Sequence, residues 1–286
     1  MGQIYISTSC IKSSSIKESV LKLVSAGFKN IELSGGTKFY PNYKDDLLKM
    51  KKEYGLNYLV HNYFPPPKIP FVINLASQNK EIFQKSIDQC KSAIKLSKEL
   101  EGEKYGVHAG FLIDIKANEI GRKLSRSSLS KRNDAIKKFE EGWLYLIEEA
   151  GQDITLYLEN NVFSMTNSET YSNNNPFLLT DYESYLELSD KLDFTILLDF
   201  AHLQVSCNSL GLEFDREVEK LFPLTNYIHL SDNDGSHDQN KGLRNDGQIM
   251  NFIRNNDLNE KTITIEIYSG MDQVIYDYNK ISEILN

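Results

Sequence analysis

His61, His108, Glu159, Asp199, His202, His229 and Glu266 each stand at or just after the end of a short apolar run of β-like composition. The runs are Leu56 to Val60, Glu103 to Val107, Ile154 to Leu158, Phe194 to Leu198, Thr225 to Ile228 and Thr262 to Ile265. Residues so far apart can act together only if the strand ends meet. A closed β/α barrel does this, because the carboxyl ends of all its strands surround one mouth. Imidazoles and carboxylates gathered there are the donor set of a divalent transition metal.

Strand-like runs alternate with longer amphipathic stretches along the whole chain, which predicts parallel strands joined by helices. Ile4–Ser7 leads into a helix over Ser15–Ala26, Asn30–Leu33 into Lys44–Tyr54, Leu56–Val60 into Lys80–Leu100, and Lys104–Val107 into Arg132–Ala150. Ile154–Leu158 is followed by Tyr182–Lys191, Thr195–Leu198 by Glu213–Leu221, Asn226–Leu230 by Gly247–Asn255, and Thr262–Ile267 by Asp272–Leu285. Eight such units define an α/β fold, a single (β/α)8 TIM barrel with its active site at the C-terminal ends of the strands. The 286 residues suit one barrel domain over 1–286, since no Pro/Gly/Ser-rich linker divides them and a barrel needs roughly 250 residues. Long connections follow the third, fourth, fifth and seventh strands, on the side where the candidate residues emerge, and long loops are commonly functional.

Composition narrows the classes of partner. A formal net charge of −8 weighs against polyanions, although a locally basic groove can override the sum, so nucleic acid is disfavoured without being excluded. Cys10, Cys90 and Cys207 are odd in number and show no Cys-x-x-Cys spacing, which fits a reducing cytoplasm rather than a disulfide framework or a zinc knuckle. Met1 to Cys10 lacks the basic-then-apolar pattern of a secretion signal, and no stretch of about 18 apolar residues is present to span a membrane. Ile6 occupies the Ser/Thr position required for myristoylation at Gly2. Oligomeric state is not readable from these patterns.

Each candidate has an ordinary structural reading beside the functional one. Glu159 and Glu266 finish core-forming runs, where a carboxylate is costly unless paired or bound to a cation. Either alone could be a buried ion pair; together with Asp199 and His229 they point to a common pocket. Asp199 and His202, three positions apart, can share one turn and face one site. All five histidines, His61, His108, His202, His229 and His237, fall after strands and none in a predicted helix. Glu32 closes the second strand and either binds a substrate hydroxyl, orients a neighbouring base or forms a structural pair. Lys241 and Arg244 lie in the loop after the seventh strand, where barrels often bind phosphate, or are surface charges. The basic stretch Arg122–Arg132 is a solvated lid or an anion contact. Tyr63, Phe64 and Trp143 are first of all core material.

The phrases Gly27-Phe28-Lys29-Asn30-Ile31-Glu32-Leu33-Ser34, Val60-His61-Asn62, Val107-His108-Ala109-Gly110, Leu158-Glu159-Asn160, Leu198-Asp199-Phe200-Ala201-His202, His229-Leu230-Ser231-Asp232 and Ile265-Glu266 stand in an order and spacing that resembles the xylose isomerase-like TIM barrels. That family includes sugar and sugar-phosphate isomerases and epimerases and the endonuclease IV-type repair enzymes. The resemblance implies that Glu159, Asp199, His229 and Glu266 are metal ligands, with His202 beside the substrate. In the endonuclease branch it implies that His61 and His108 hold a second metal sharing Glu159. That branch also carries an Asp-x-His pair after the seventh strand, whereas this chain has His237-Asp238-Gln239-Asn240-Lys241, which puts a three-metal site in doubt.

The leading expectation is a divalent-metal-dependent sugar or sugar-phosphate isomerase or epimerase acting on a small carbohydrate. Glu159 and Glu266 would move a proton through a metal-stabilised enediolate, and His202 would bond the oxygen that gains charge. The metal is Mn, Co, Zn or Mg, His229 weighing mildly against an all-oxygen Mg site. The alternatives are a metal-dependent phosphodiesterase of the abasic-site endonuclease kind, with two or more metals, and a binding protein that keeps the barrel without turnover.

Overall fold

The computed structural model describes residues 2–285. Eight parallel strands close into one barrel in sequence order: β1 (Gln3–Ser7), β2 (Asn30–Leu33), β3 (Asn57–His61), β4 (Lys104–His108), β5 (Thr155–Glu159), β6 (Thr195–Asp199), β7 (Tyr227–Leu230) and β8 (Thr262–Ile265). The surrounding helices are α1 (Ile16–Ser25), α2 (Tyr43–Tyr54), α3 (Lys80–Glu99), α4 (Arg132–Ala150), α5 (Met165–Thr170), α6 (Tyr182–Ser189), α7 (Phe200–Leu210), α8 (Phe214–Leu221), α9 (Gln248–Asn255) and α10 (Met271–Leu285). No helix among the described residues is long and apolar enough to cross a membrane.

Strand alternation sorts every side chain to one of two faces. Ile31, Leu33, Tyr58, Val60, Ile228 and Leu230 belong to the main core between sheet and helices. Their neighbours in sequence face the lumen, where Tyr5, Leu59, Tyr157, Leu197 and Tyr227 form a separate buried layer. Lys104 stops the N-terminal end, donating to Thr262 Oγ1 at 2.9 Å with its ammonium over the rings of Tyr157 and Tyr227. Two residues further along each strand, the same lumen face carries His61, His108, Glu159, Asp199 and His229. The register sets them side by side, with His108 opposite Glu159 and Asp199 opposite His229.

One expectation fails here. His202 lies inside a helix, because α7 starts directly at the end of β6 with Asp199 as its N-cap, the Asp199 carboxylate accepting from His202 N at 2.8 Å. Every residue from Phe200 to Cys207 is buried, so α7 has no polar face and lacks the amphipathic period by which a surface helix is read. The helix expected after β6 is the next one, α8.

The long loops after β3, β4 and β5 fold onto one another through a second apolar cluster that includes Val72, Phe111, Ile113, Leu124, Phe163 and Phe177. Asparagines replace regular backbone pairing in these loops. Asn74 donates to Phe111 O at 3.1 Å and Ile113 O at 3.0 Å and accepts from Phe111 N at 3.0 Å. Asn161 donates to Ala109 O and Leu178 O, both at 2.8 Å. These loops roof one side of the mouth. Leu124 anchors the basic stretch in this roof, and Arg132 pairs with Glu187 of α6 at 2.6 Å.

Gly106 is the lumen residue below His108. A Cβ there would come within 2.6 Å of Leu197 Cδ1 and 3.1 Å of His61 Cδ2. Gly106→Ala is therefore expected to cost about 1–3 kcal/mol of stability in denaturant unfolding, as overpacked cores do, and to displace the His61 ring.

Candidate functional site

Glu159 is the hub of the mouth. Its Oε2 faces His61 Nε2 at 2.8 Å and His108 Nδ1 at 3.2 Å; its Oε1 faces His229 Nδ1 at 3.4 Å and His202 Nδ1 at 3.8 Å. Glu266, one residue beyond β8, brings Oε2 to within 3.4 Å of the same His229 Nδ1. Residues from β3, β4, β5, α7, β7 and β8 thus meet at one point, as strand-end placement predicts.

Hydrogen bonds set the orientation of two imidazoles. His229 Nε2 lies 3.0 Å from Glu32 Oε2, and that carboxylate also accepts from Thr264 Oγ1 at 2.9 Å and from the Tyr227 hydroxyl. With the Nε2 proton directed to Glu32, Nδ1, which faces Glu159 and Glu266, is the nitrogen that would meet a cation once its own proton is lost. This is the carboxylate–histidine arrangement that orients metal-binding imidazoles. His202 Nδ1 is 3.0 Å from Asn160 O, which can only accept, so Nδ1 carries hydrogen and Nε2 is turned to Asp238 Oδ2 at 3.4 Å.

The donor set fits a divalent metal. Nδ1 of His61, His108 and His229 is buried without a hydrogen-bond partner, although the latter two lie within 3.4 Å of Glu159 oxygens. Three groups, His61/Glu159/His229, His108/Glu159/His202 and Glu32/His229/Glu266, each place their ligand atoms within 4.8 Å of one another. Mixed imidazole and carboxylate donors at such separations suit zinc, manganese or cobalt.

The electrostatics carry the same signature. Burial pushes the Glu159 carboxyl up, but the imidazoles of His108 and His61 outweigh it and hold it well below the usual carboxylate range. Burial likewise opposes ionisation of Glu266, yet His229 brings it down to about 2. Burial alone would depress His229 and His202; Glu32 and the other carboxylates around His229, and Asp199 with Asp238 around His202, instead raise both well above the ordinary histidine value. Burial takes His108 down to about 4 and Asp199 up to about 6.

Several residues stand elsewhere than their sequence position suggests. Asp199 belongs to none of the three groups among the described residues, and one of its oxygens caps α7. Glu32 is fully buried beneath His229 and does not line the cavity, so it faces the histidine rather than a substrate hydroxyl. Arg244 binds the buried Asp232 carboxylate through Nε at 3.0 Å and Nη2 at 3.1 Å, and the Lys241 backbone pairs with Asp232 in both directions. Neither cation lines the cavity, nor do Lys123, Arg126 and Lys131. Their loop turns Asp238 inward, while His237 faces outward to Thr166 Oγ1 at 3.0 Å. Sequence reasoning missed Ser9 and Tyr268, whose hydroxyls donate to Glu266 Oε1 at 2.7 and 3.0 Å. It also missed the bonding role of Asn160, which accepts from Asp199 N at 2.7 Å. The position of Tyr268, two residues after a strand-end glutamate, was the one available signal.

The site opens into a cavity of about 1600 Å³, with His61, His108, Glu159, His202, Asp238 and Glu266 at its inner end. A closed parallel barrel with this cluster at its C-terminal mouth defines a class of barrels able to hold a metal. The model of the xylose isomerase-like TIM barrels matches residues 20–276, and the chain belongs to that family. No curated protein matches its sequence significantly. Among solved structures it is similar to a D-tagatose 3-epimerase-like protein, with a TM-score of 0.72, 20% identity, and 99% of this chain and 97% of the other covered. It is also similar to endonuclease IV from Thermus thermophilus, with a TM-score of 0.63, 15% identity, and 99% and 98% covered. A third likeness is to the apo form of 3-keto-D-glucoside 4-epimerase from E. coli, with a TM-score of 0.66, 14% identity and 99% of each chain covered. At these identities the likeness is one of fold.

Two outcomes are expected. Glu32→Gln should weaken divalent-metal affinity by about 10–100-fold, as loss of such outer partners does, while unfolding remains cooperative. Because the surrounding carboxylates raise His229 and His202 well above the ordinary histidine value, a cation binding to this cluster at pH 7 is expected to displace protons. Calorimetric titration with Zn or Mn in buffers of different ionisation enthalpy should show that release as a buffer-dependent heat; a buffer-independent heat would contradict it.

Proposed function

We propose that this chain is a divalent-metal-dependent isomerase or epimerase of a sugar, with Glu159 and Glu266 as the proton-transfer pair. The observation that carries this reading is the approach of both carboxylates to His229 Nδ1, each at 3.4 Å, with both on the cavity wall. Two carboxylates flanking one point can remove a proton from one side of a carbon and return it from the other.

Glu159, His229 and Glu266 would hold the cation; Asp199, which lies outside the close groups and caps α7 through Oδ1, would join as fourth group only by moving Oδ2 inward. The cation when bound supplies Lewis acidity to adjacent substrate oxygens. His229 holds Glu266 ionised while Ser9 and Tyr268 aim it, so it begins as a base. His202, protonated and tied to Asn160 O through Nδ1, directs Nε2–H toward Asp238 on the cavity wall, from which it could turn to an oxygen that gains negative charge. Glu32 keeps His229 in one tautomer throughout.

A second reading is a phosphodiester hydrolase with two or more cations. His61 and His108 both face Glu159 Oε2, whereas His229 and His202 face Oε1, and Asp238 extends the cluster at His202. A carboxylate bridging two cations about 3.5–4 Å apart could serve water activation.

Metal-loaded protein incubated with ketoses in D2O is expected to wash deuterium into the carbon next to the carbonyl, read by NMR. Glu159→Gln and Glu266→Gln should each lower the rate by about 10²–10⁴-fold. Cleavage of an abasic-site duplex without any sugar exchange would transfer the assignment to the hydrolase.

A further inference from the structure

The cavity is far longer than its reacting end. Clefts of roughly 300–1,000 Å³ suffice for drug-sized ligands, and this one measures about 1600 Å³. It continues outward as a trough between the loops after β1, β3, β4 and β8. Pro66, Pro67, Phe71, Ile120, Tyr268 and Met271 form its outer walls. Gly36 and Gly270 also line it, at φ +97° and +96°, with nothing within 4 Å of the Cβ either would carry. The trough is therefore bounded by proline and aromatic faces and by bare backbone.

Charge is sparse there. Beyond the inner cluster, the charged residues on the wall are Lys12 and Lys22, both exposed, and the Lys22 ammonium already donates to Lys12 O at 3.3 Å and Ser13 Oγ at 3.1 Å. Arg244, a candidate for phosphate, is bound to Asp232. Beyond the inner cluster no buried cation lines the wall to hold an anion, whereas flat apolar faces suit the C–H faces of a sugar ring.

We propose that the substrate is an uncharged sugar carrying a second ring, a glycoside, with its carbonyl end at Glu159 and Glu266 and the attached ring lying in the trough. This rests on the proton-transfer reading and adds the size and charge of the molecule it acts on.

Deuterium exchange by the metal-loaded full chain tests it, comparing D-fructose with the keto-disaccharides lactulose and isomaltulose and with fructose 6-phosphate. At least one disaccharide should exceed D-fructose at least tenfold in kcat/KM. Ala117→Trp, which fills an exposed position on the trough wall, should abolish that preference while leaving D-fructose exchange unchanged. Exchange of D-fructose as fast as of both disaccharides, or a preference for fructose 6-phosphate, would overturn the inference and leave the proton-transfer reading standing. Absence of exchange with every sugar would remove that reading and this inference with it.

Discussion

Burying the Glu159 carboxylate at the end of β5 costs several kcal/mol unless positive charge meets it, and four imidazoles from β3, β4, β7 and α7 surround it. Two of them are held from behind, His229 by Glu32 and His202 by Asn160 O, and Glu266 is held by Ser9 and Tyr268. Removing the central carboxylate would leave several buried cations without a partner. A divalent cation would replace the protons in this balance without changing its sign, so one set of side chains could serve both states.

Much of this was legible because the strands are short. With four or five residues per strand, a polar residue closing an apolar run falls on the lumen face at the mouth by alternation alone, which is why His61, His108, Glu159, Asp199 and His229 were found. Of the roles open to Glu32, the structure favours orienting a neighbouring imidazole over contact with a substrate. Glu32 stands one residue before the end of β2, so its carboxylate sits a layer deeper, under His229 rather than beside a substrate. The α7 helix was invisible because burial on all sides erased its periodicity. Arg244 looked like a phosphate ligand because its partner, Asp232, is twelve positions away across a loop that sequence cannot fold. Ser9 is one serine among many until β1 brings it to Glu266.

Strand ends and loops are ordered by different means. The candidate ligands sit on hydrogen-bonded strands or immediately beyond them, where register fixes their spacing. The roof depends on asparagine side chains and one apolar cluster. Chemistry and enclosure are therefore built from separable parts, and a change in the roof or the trough can alter what enters without moving Glu159 or His229.

The half-roofed mouth also bears on time. With the loops after β3, β4 and β5 stapled together, the product of the proposed reaction would leave by the opening through which substrate came, past Tyr268 and Phe71. Turnover at saturating substrate would then be limited by departure as well as by proton transfer, and solvent viscosity would become a variable of the rate.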